Sequence, residues 1–376
     1  MKILVIIDTL GVGGAERVLV NTLPELKRIG INCEVAILFN RDDLAHELEN
    51  QGIKVHKINL SYKWNIIEGI YKLNKLIKKN HYDIVHAHLF FSYFYTGLVK
   101  GLLNKDIKTI TTFHNLAYLA YPANTFLKKI RKKMDSFIVN NFIDYHVAVS
   151  KAVKEHYMYH LNISDIDIIP NGFYLKKILF FNKRFDKDYL TEFFKNKKCR
   201  KFSITPGRLV KEKGHKYLLN ALKKVEDLDL CHFIIGSGPL KNEINTMIKK
   251  LNLNNVMLID GLIQDELFKF VNSVDFVIIP SISEGFSLVI GESMALGKAI
   301  IATNIGGISD LIKHERNGLL VEPGDVKSLA ITIEKLYNSP ILCNNLGRYA
   351  KNDIKNFDIE KISLKWKDYY KKVLNG

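Results

Sequence analysis

Two glutamates, Glu284 and Glu292, stand with seven residues between them in the otherwise apolar stretch SISEGFSLVIGESMALGKAIIAT, Ser281 to Thr303. An ionised carboxylate only accepts hydrogen bonds, so its partners are hydroxyls, N–H groups or cations. Ser287 predicts the N-cap of a helix that runs to about Leu296 and stops at Gly297. Glu284 then lies in the loop before the helix and Glu292 more than one turn inside it, with free backbone N–H groups between them. An anion resting on those N–H groups, flanked by carboxylates that accept from hydroxyls, is the pattern of a sugar-phosphate site.

A second group of residues supplies the charge such a site needs. The strand-like run FSITPGRL leads into GRLVKEKGH and places Arg208 and Lys213 on one strand-to-helix loop, a fork of donors and a point charge suited to a diphosphate. Glycine turns follow other strand-like runs at IIGSGP and at Gly306 and Gly307. Directly after the first such run comes TLGVGGAERVL, whose Gly11, Gly13 and Gly14 let backbone approach a ligand at a helix N-terminus. A nicotinamide-dinucleotide site is disfavoured there. Glu16 occupies the third glycine position of that fingerprint, and the second strand closes on Phe39, Asn40 and Arg41 rather than on an acidic residue.

These loops need strands to carry them. KILVIID, CEVAILF, YDIVHAH, IKTITTFH and YHVAVS read as strands of a first series, and FSITPGRL, CHFIIGSGP, VMLIDGL, DFVIIPS, KAIIATN and GLLVEPG as a second. Amphipathic helical stretches alternate with them, the rhythm of parallel sheets covered by helices. With 376 residues, of which 47% are hydrophobic, two α/β domains are expected. The IIPNGF turn closes the first, placing it at 1–172 and the second at 173–356, with a Lys- and Phe-rich insertion at the join. An amphipathic helix, FDIEKISLKWKDYYKKVL, lies beyond, within 357–376. His86 and His88 of HAH read as strand-end structure.

Composition narrows the function classes. No run approaches the roughly 20 apolar residues that span a bilayer, and the first residues do not read as a secretory signal. The four cysteines show no paired spacing, so neither a zinc site nor a disulfide framework is expected, and a reduced cytoplasm fits. The net charge of +16 admits nucleic acid, anionic lipid or phosphorylated ligands. No nucleic-acid motif is present, and the best basic pair sits in a diphosphate-like loop. Asp-x-Asp occurs at Asp165 to Asp167 and Asp227 to Asp229, neither closing a strand beside the other motifs, so no essential metal is expected.

In order along the chain, GGAERV, TTFHN, VAVS, IPNGF, GRLVKEKG, GSGP, SEGFSLVIGESMALGKAIIATNIGG and NGLLVEPGD resemble the motifs of family 4 glycosyltransferases. The resemblance implies retaining enzymes of the GT-B type: two facing Rossmann-like domains with parallel sheets, and a C-terminal helix crossing back to the N-terminal domain. It implies that 1–172 binds the acceptor and 173–356 the nucleotide sugar. Arg208 and Lys213 would grip the donor diphosphate and Glu292 the ribose hydroxyls. Glu284 would meet the sugar, with the N–H groups of Gly285, Phe286, Ser287 and Leu288 nearby. Gly13 and Gly14 would face phosphates and acceptor, and His114 the reacting sugar.

The donor is then a nucleotide sugar, UDP being the expected nucleotide, and there is no separate cofactor. The segment YLAYPANTFLKKIRKKMDSF, Tyr118 to Phe137, mixes aromatic and basic residues. It suits an anionic membrane or a lipid diphosphate, pointing to a lipid-linked, lipopolysaccharide or polysaccharide acceptor and a peripheral place at the inner membrane face. A UDP-sugar epimerase on a similar frame, and a nonenzymatic anion-binding or nucleic-acid-binding protein, remain open on sequence alone.

Overall fold

The computed structural model describes residues 1–120, 124–180, 183–194 and 197–376. Tyr121, Pro122 and Ala123 of the aromatic-basic segment, and Phe181, Asn182, Lys195 and Asn196 of the insertion, lie outside the described residues. The chain divides into two compact units, Met1–Phe173 with Phe357–Gly376, and Tyr174–Asn356.

Seven strands build the first unit: β1 (Lys2–Ile7), β2 (Asn32–Ile37), β3 (Val55–Lys57), β4 (Ile84–His88), β5 (Lys108–Phe113), β6 (Tyr145–Ala148) and β7 (Asp167–Ile168). They pair in parallel in the order β3-β2-β1-β4-β5-β6-β7. The run from Ile3 to Ile7 is fully buried, as a strand covered on both faces must be. Its alternate residues serve different cores. Ile3, Val5 and Ile7 pack with Leu19, Leu23 and Leu26 of the helix Gly14–Arg28, whereas Leu4 and Ile6 pack with Phe91, Phe94 and Tyr95 of the helix Phe90–Leu103. The edge strands β3 and β7 carry no apolar run, and the sequence reading did not include them.

The second unit holds β8 (Lys201–Pro206), β9 (Leu230–Ile235), β10 (Val256–Ile259), β11 (Phe276–Ile279), β12 (Ala299–Thr303) and β13 (Leu319–Val321). These are the six runs read from sequence, paired in parallel in the order β10-β9-β8-β11-β12-β13 around a core of their own. Each sheet therefore reverses strand order once, between β1 and β4 in the first and between β8 and β11 in the second. Crevices for ligands open at the carboxyl ends of strands at such points.

The terminal helix Ile359–Asn375 belongs to the first unit. Asp358 caps it by accepting from the Glu360 amide at 3.0 Å. Its Ile362, Trp366, Tyr369, Tyr370 and Val373 recur at helical spacing and bury against Leu19, Leu23 and Leu26. The chain leaves and re-enters this unit at one place: the Phe173 amide donates to the Phe357 carbonyl at 2.8 Å, and the Ile359 amide to the Phe173 carbonyl at 2.9 Å.

The cysteines correct the sequence reading. Cys199 and Cys231 form a disulfide across 32 residues, their Cα atoms 5.5 Å apart; only Cys33 and Cys343 are free, both buried. Cys231 lies on β9 and Cys199 just ahead of β8, so strand pairing brings together thiols whose spacing carries no local signal.

Candidate functional site

At the β8/β11 crossover the loops after both strands are tied together. The Lys213 ammonium donates to Glu284 Oε2 at 2.7 Å, with side-chain exposures of 17% and 12%. The Ile282 amide donates to the Glu212 carbonyl at 2.7 Å. Gly214 has φ +68, and a Cβ there would stand 1.9 Å from the Pro280 carbonyl oxygen. Only glycine lets the loop after β8 pass beneath the end of β11. The loop after β12 joins them, the Gly307 amide donating to the Glu284 carbonyl at 3.3 Å. The β8 loop also leans on the turn after β9 through the Leu209 amide, which donates to the Ser237 carbonyl at 2.8 Å. Arg208, at the start of this loop, is exposed.

The helix predicted after Ser287 spans Leu288–Ala295. Ser287 has the extended backbone of an N-cap, but its side chain makes no capping bond, a departure from the sequence expectation. Its hydroxyl is buried without a hydrogen-bond partner among the described residues. The first N–H groups of this helix have no partner within it and are donors that suit an anion. Gly291, Ser293, Met294 and Ala295 are buried, while Leu288, Val289 and Glu292 stay partly open and share one face at i, i+3 and i+4 spacing. Glu292 Oε1 accepts from the Gln264 amide at 3.1 Å. Arg208, Lys213, Glu284, Gly285, Phe286, Ser287, Leu288 and Glu292 thus all sit in loops or the helix that follow the carboxyl ends of β8 and β11.

His215, which sequence reasoning passed over, begins the next helix behind Lys213. Its Nδ1 donates to the Lys213 carbonyl at 3.3 Å. Burial, reinforced by the neighbouring Lys213 charge, pushes its pKa down to about 4, so the ring is neutral at neutral pH and braces the loop.

Gly13, Gly14 and His114 belong to the first unit. Gly13 caps the helix Gly14–Arg28 in extended conformation, and a Cβ on Gly14 would meet nothing within 4 Å. The fold itself does not require glycine at position 14. At the β1/β4 crossover Asp8 was missed. Its Oδ1 accepts from the Ser92 amide at 2.8 Å and hydroxyl at 2.7 Å, and its Oδ2 from the Phe91 amide at 3.4 Å. The carboxylate thereby caps the helix Phe90–Leu103, whose N-cap, Leu89, is held at φ +72. A leucine in that region is strained and needs such bracing. Burial raises the Asp8 pKa to about 6 against the hydrogen bonds from Ser92 and Phe91.

His114 follows β5 and is bonded ring to ring with His88, Nε2 to Nδ1 at 2.8 Å. His88 ends β4, as read, whereas His86 lies at its middle, and together they link His114 to the terminal helix. His86 bonds the Tyr370 hydroxyl at 2.8 Å and Thr112 Oγ1 at 2.7 Å. Burial lowers the pKa of His114 to about 4 and of His86 to about 3, and takes His88 well below its usual value. All three are neutral at neutral pH. His88 Nε2 and His114 Nδ1 are buried without partners among the described residues. The signal available in sequence was the i, i+2 spacing, which puts His86 and His88 on one face of β4.

Among the described residues no group of three or more His, Cys, Asp and Glu is arranged to hold a metal ion. The two Asp-x-Asp sequences lead into the amino ends of β7 and β9, the edge opposite the site loops. Asp167 faces Lys372 at 3.3 Å and Asp229 faces Lys198 at 3.5 Å. No helix among the described residues is long and apolar enough to cross a membrane.

Residues 12–177 match the family model described as Glycosyltransferase Family 4, and residues 187–353 that described as Glycosyl transferases group 1. An uncharacterized glycosyltransferase of Methanocaldococcus jannaschii is 29% identical over 341 residues, 88% of each chain. The UDP-Gal:alpha-D-GlcNAc-diphosphoundecaprenol alpha-1,3-galactosyltransferase of Escherichia coli is 28% identical over 315 residues, 81% of this chain and 79% of its own. The crystal structure of Anabaena HepE in complex with UDP-glucose superposes with a TM-score of 0.84 at 20% identity, over 99% of this chain and 100% of the other.

Proposed function

The chain belongs to the family 4 glycosyltransferases, has the GT-B fold and uses a nucleotide-sugar donor, and on that premise we propose that it transfers the sugar of a UDP-sugar, with retention, to a lipid-linked or polysaccharide acceptor at the cytoplasmic face of the membrane. The observation that carries the donor reading is the Lys213–Glu284 bond, which ties the loop after β8 to the loop leading into the helix Leu288–Ala295, whose Ser287 hydroxyl is buried without a partner among the described residues. In this reading Arg208 and Lys213 take the diphosphate with the N–H groups of Gly285 to Leu288. Glu292 accepts from the ribose hydroxyls and Glu284 from the sugar. Fixed donors aimed at the charge that develops on the leaving diphosphate are the largest rate effect open to such a site. No carboxylate stands out in the sequence as a nucleophile, which favours front-face attack with the departing phosphate accepting the acceptor's proton. The family resemblance assigns His114 to the reacting sugar and Gly13 and Gly14 to the phosphates and the acceptor.

The acceptor reading rests on the helix Phe126–Phe142. Phe126, Leu127 and Ile130 are 77%, 75% and 46% exposed, and Lys128, Lys129, Arg131 and Lys133 are exposed among them. Apolar anchors interleaved with cations suit an anionic interface. The E. coli relative, by its name, acts on a diphosphoundecaprenol-linked sugar.

Incubation with a panel of nucleotide sugars, with and without a membrane extract, tests the reaction. Label moving into the membrane fraction as an α-linked sugar is expected; an epimerised donor formed without acceptor would replace the transferase reading. Glu292→Ala is expected to weaken nucleotide affinity roughly 10- to 100-fold, as loss of hydrogen bonds to a charged group does. Unchanged affinity removes the ribose assignment.

A further inference from the structure

Lys213 and Glu284 are 71 residues apart in sequence, yet their side chains meet. The backbone bond from Ile282 to Glu212 fixes the two loops against each other, and Gly307 holds the Glu284 carbonyl. The carboxylate is 12% exposed, so water does little to screen it. One ammonium therefore answers to two anions: the carboxylate that it already bonds at 2.7 Å and any diphosphate that draws on it.

We propose that Glu284 is a specificity-determining residue that separates the intact nucleotide sugar from the nucleoside diphosphate left after transfer. This rests on the reading of the β8/β11 crossover as the donor site. A diphosphate that recruits Lys213 weakens its bond to Glu284 and leaves a largely buried carboxylate short of a partner, which is unfavourable. In the intact donor the sugar hydroxyls donate to that carboxylate and replace what Lys213 gave. A nucleoside diphosphate has no sugar to do so. Its terminal phosphate also carries more negative charge once the glycosyl group has gone, the second ionisation of a phosphate monoester falling near pH 6. The ion pair thus ties diphosphate recognition to the presence of the sugar and speeds departure of the product nucleotide.

Isothermal titration of UDP and UDP-glucose, with GDP and ADP in parallel, into the protein and its Glu284→Gln variant tests this. Glutamine keeps the shape and a carbonyl acceptor for Lys213 but removes the charge. UDP is expected to bind Glu284→Gln about tenfold tighter than the unaltered protein, while UDP-glucose gains nothing, so that the preference for the sugar nucleotide collapses. Equal or weaker UDP binding by a folded Glu284→Gln overturns the proposal alone. Failure of the unaltered protein to bind UDP, GDP or ADP overturns the donor-site reading and the proposal with it. Should the glutamine variant prove unstable, Glu284→Asp decides: the retained charge keeps UDP weak, and UDP binding tightened in the aspartate variant contradicts the mechanism.

Discussion

Asp8 shows how one residue can work against stability while holding a site in shape. Its pKa, raised to about 6 by burial from the usual 3.8, means that the folded protein holds this proton more tightly than the unfolded chain. Stability from this group is greatest below pH 3.8 and falls as pH rises through about 6; by pH 7 the deficit is at most about 3 kcal/mol. Asp8→Asn removes the charge and keeps a carbonyl acceptor for Ser92. It is expected to raise the thermal midpoint at pH 7.5, by roughly 1–2 kcal/mol in stability, with the advantage gone by pH 4. A midpoint lowered at pH 7.5 would mean that the ionised hydrogen bonds to Ser92 and Phe91 outweigh the desolvation. At this scale the sequence was legible where a residue type sits in a local pattern, as with Glu284 before a helix. It was silent where meaning comes from a distant partner: Lys213 on Glu284, Asp8 on Ser92, His88 on His114. Ser287 suits a cap by its type, yet among the described residues its hydroxyl has no partner.

Among the elements, the terminal helix gives the clearest test of how packing supports the histidine chain. Trp366 is 7% exposed, stacks on Tyr370 with ring centroids 5.5 Å apart and lies 4.9 Å from the His86 ring. Trp366→Ala should destabilise the protein by about 3–5 kcal/mol, read by urea denaturation, and loosen the His86–His88–His114 row. A loss below about 1 kcal/mol would show that the helix is held elsewhere, for example by Lys367, which donates to the Ile29 carbonyl at 2.9 Å. The elements themselves were largely readable, because strands buried on both faces must be unbroken apolar runs, as KILVII is. Val55–Lys57 and Asp167–Ile168 escaped because an edge strand of two or three residues, half open to solvent, needs no such run. The Cys199–Cys231 bridge escaped for a related reason, since only the pairing of β8 with β9 creates the proximity.

For the molecule as a whole, the net charge of +16 sets how it meets surfaces. Part of that charge sits on the helix Phe126–Phe142 beside exposed apolar side chains. Sedimentation with phosphatidylglycerol vesicles is expected at about 0.05 M salt and to fall sharply by about 0.5 M, as the screening length shortens. Replacement of Lys128, Lys129 and Lys133 by glutamate should abolish it. Absence of binding at low salt would remove the membrane from the proposed function and leave a soluble polysaccharide acceptor.

The adjacent exit and return of the chain at Phe173 and Phe357–Ile359 have a mechanical consequence. Met1 and Gly376 both lie in the first unit, so tension applied between them is carried by β1, its sheet and the terminal helix. The hydrogen bonds at Phe173 clasp the two ends of the inserted second unit and act as a shunt. Residues 174–356 bear no load until the terminal helix has peeled away and that clasp has opened. The loops after β8 and β11 hang outside the force path, like an instrument mounted on a frame rather than built into its beam.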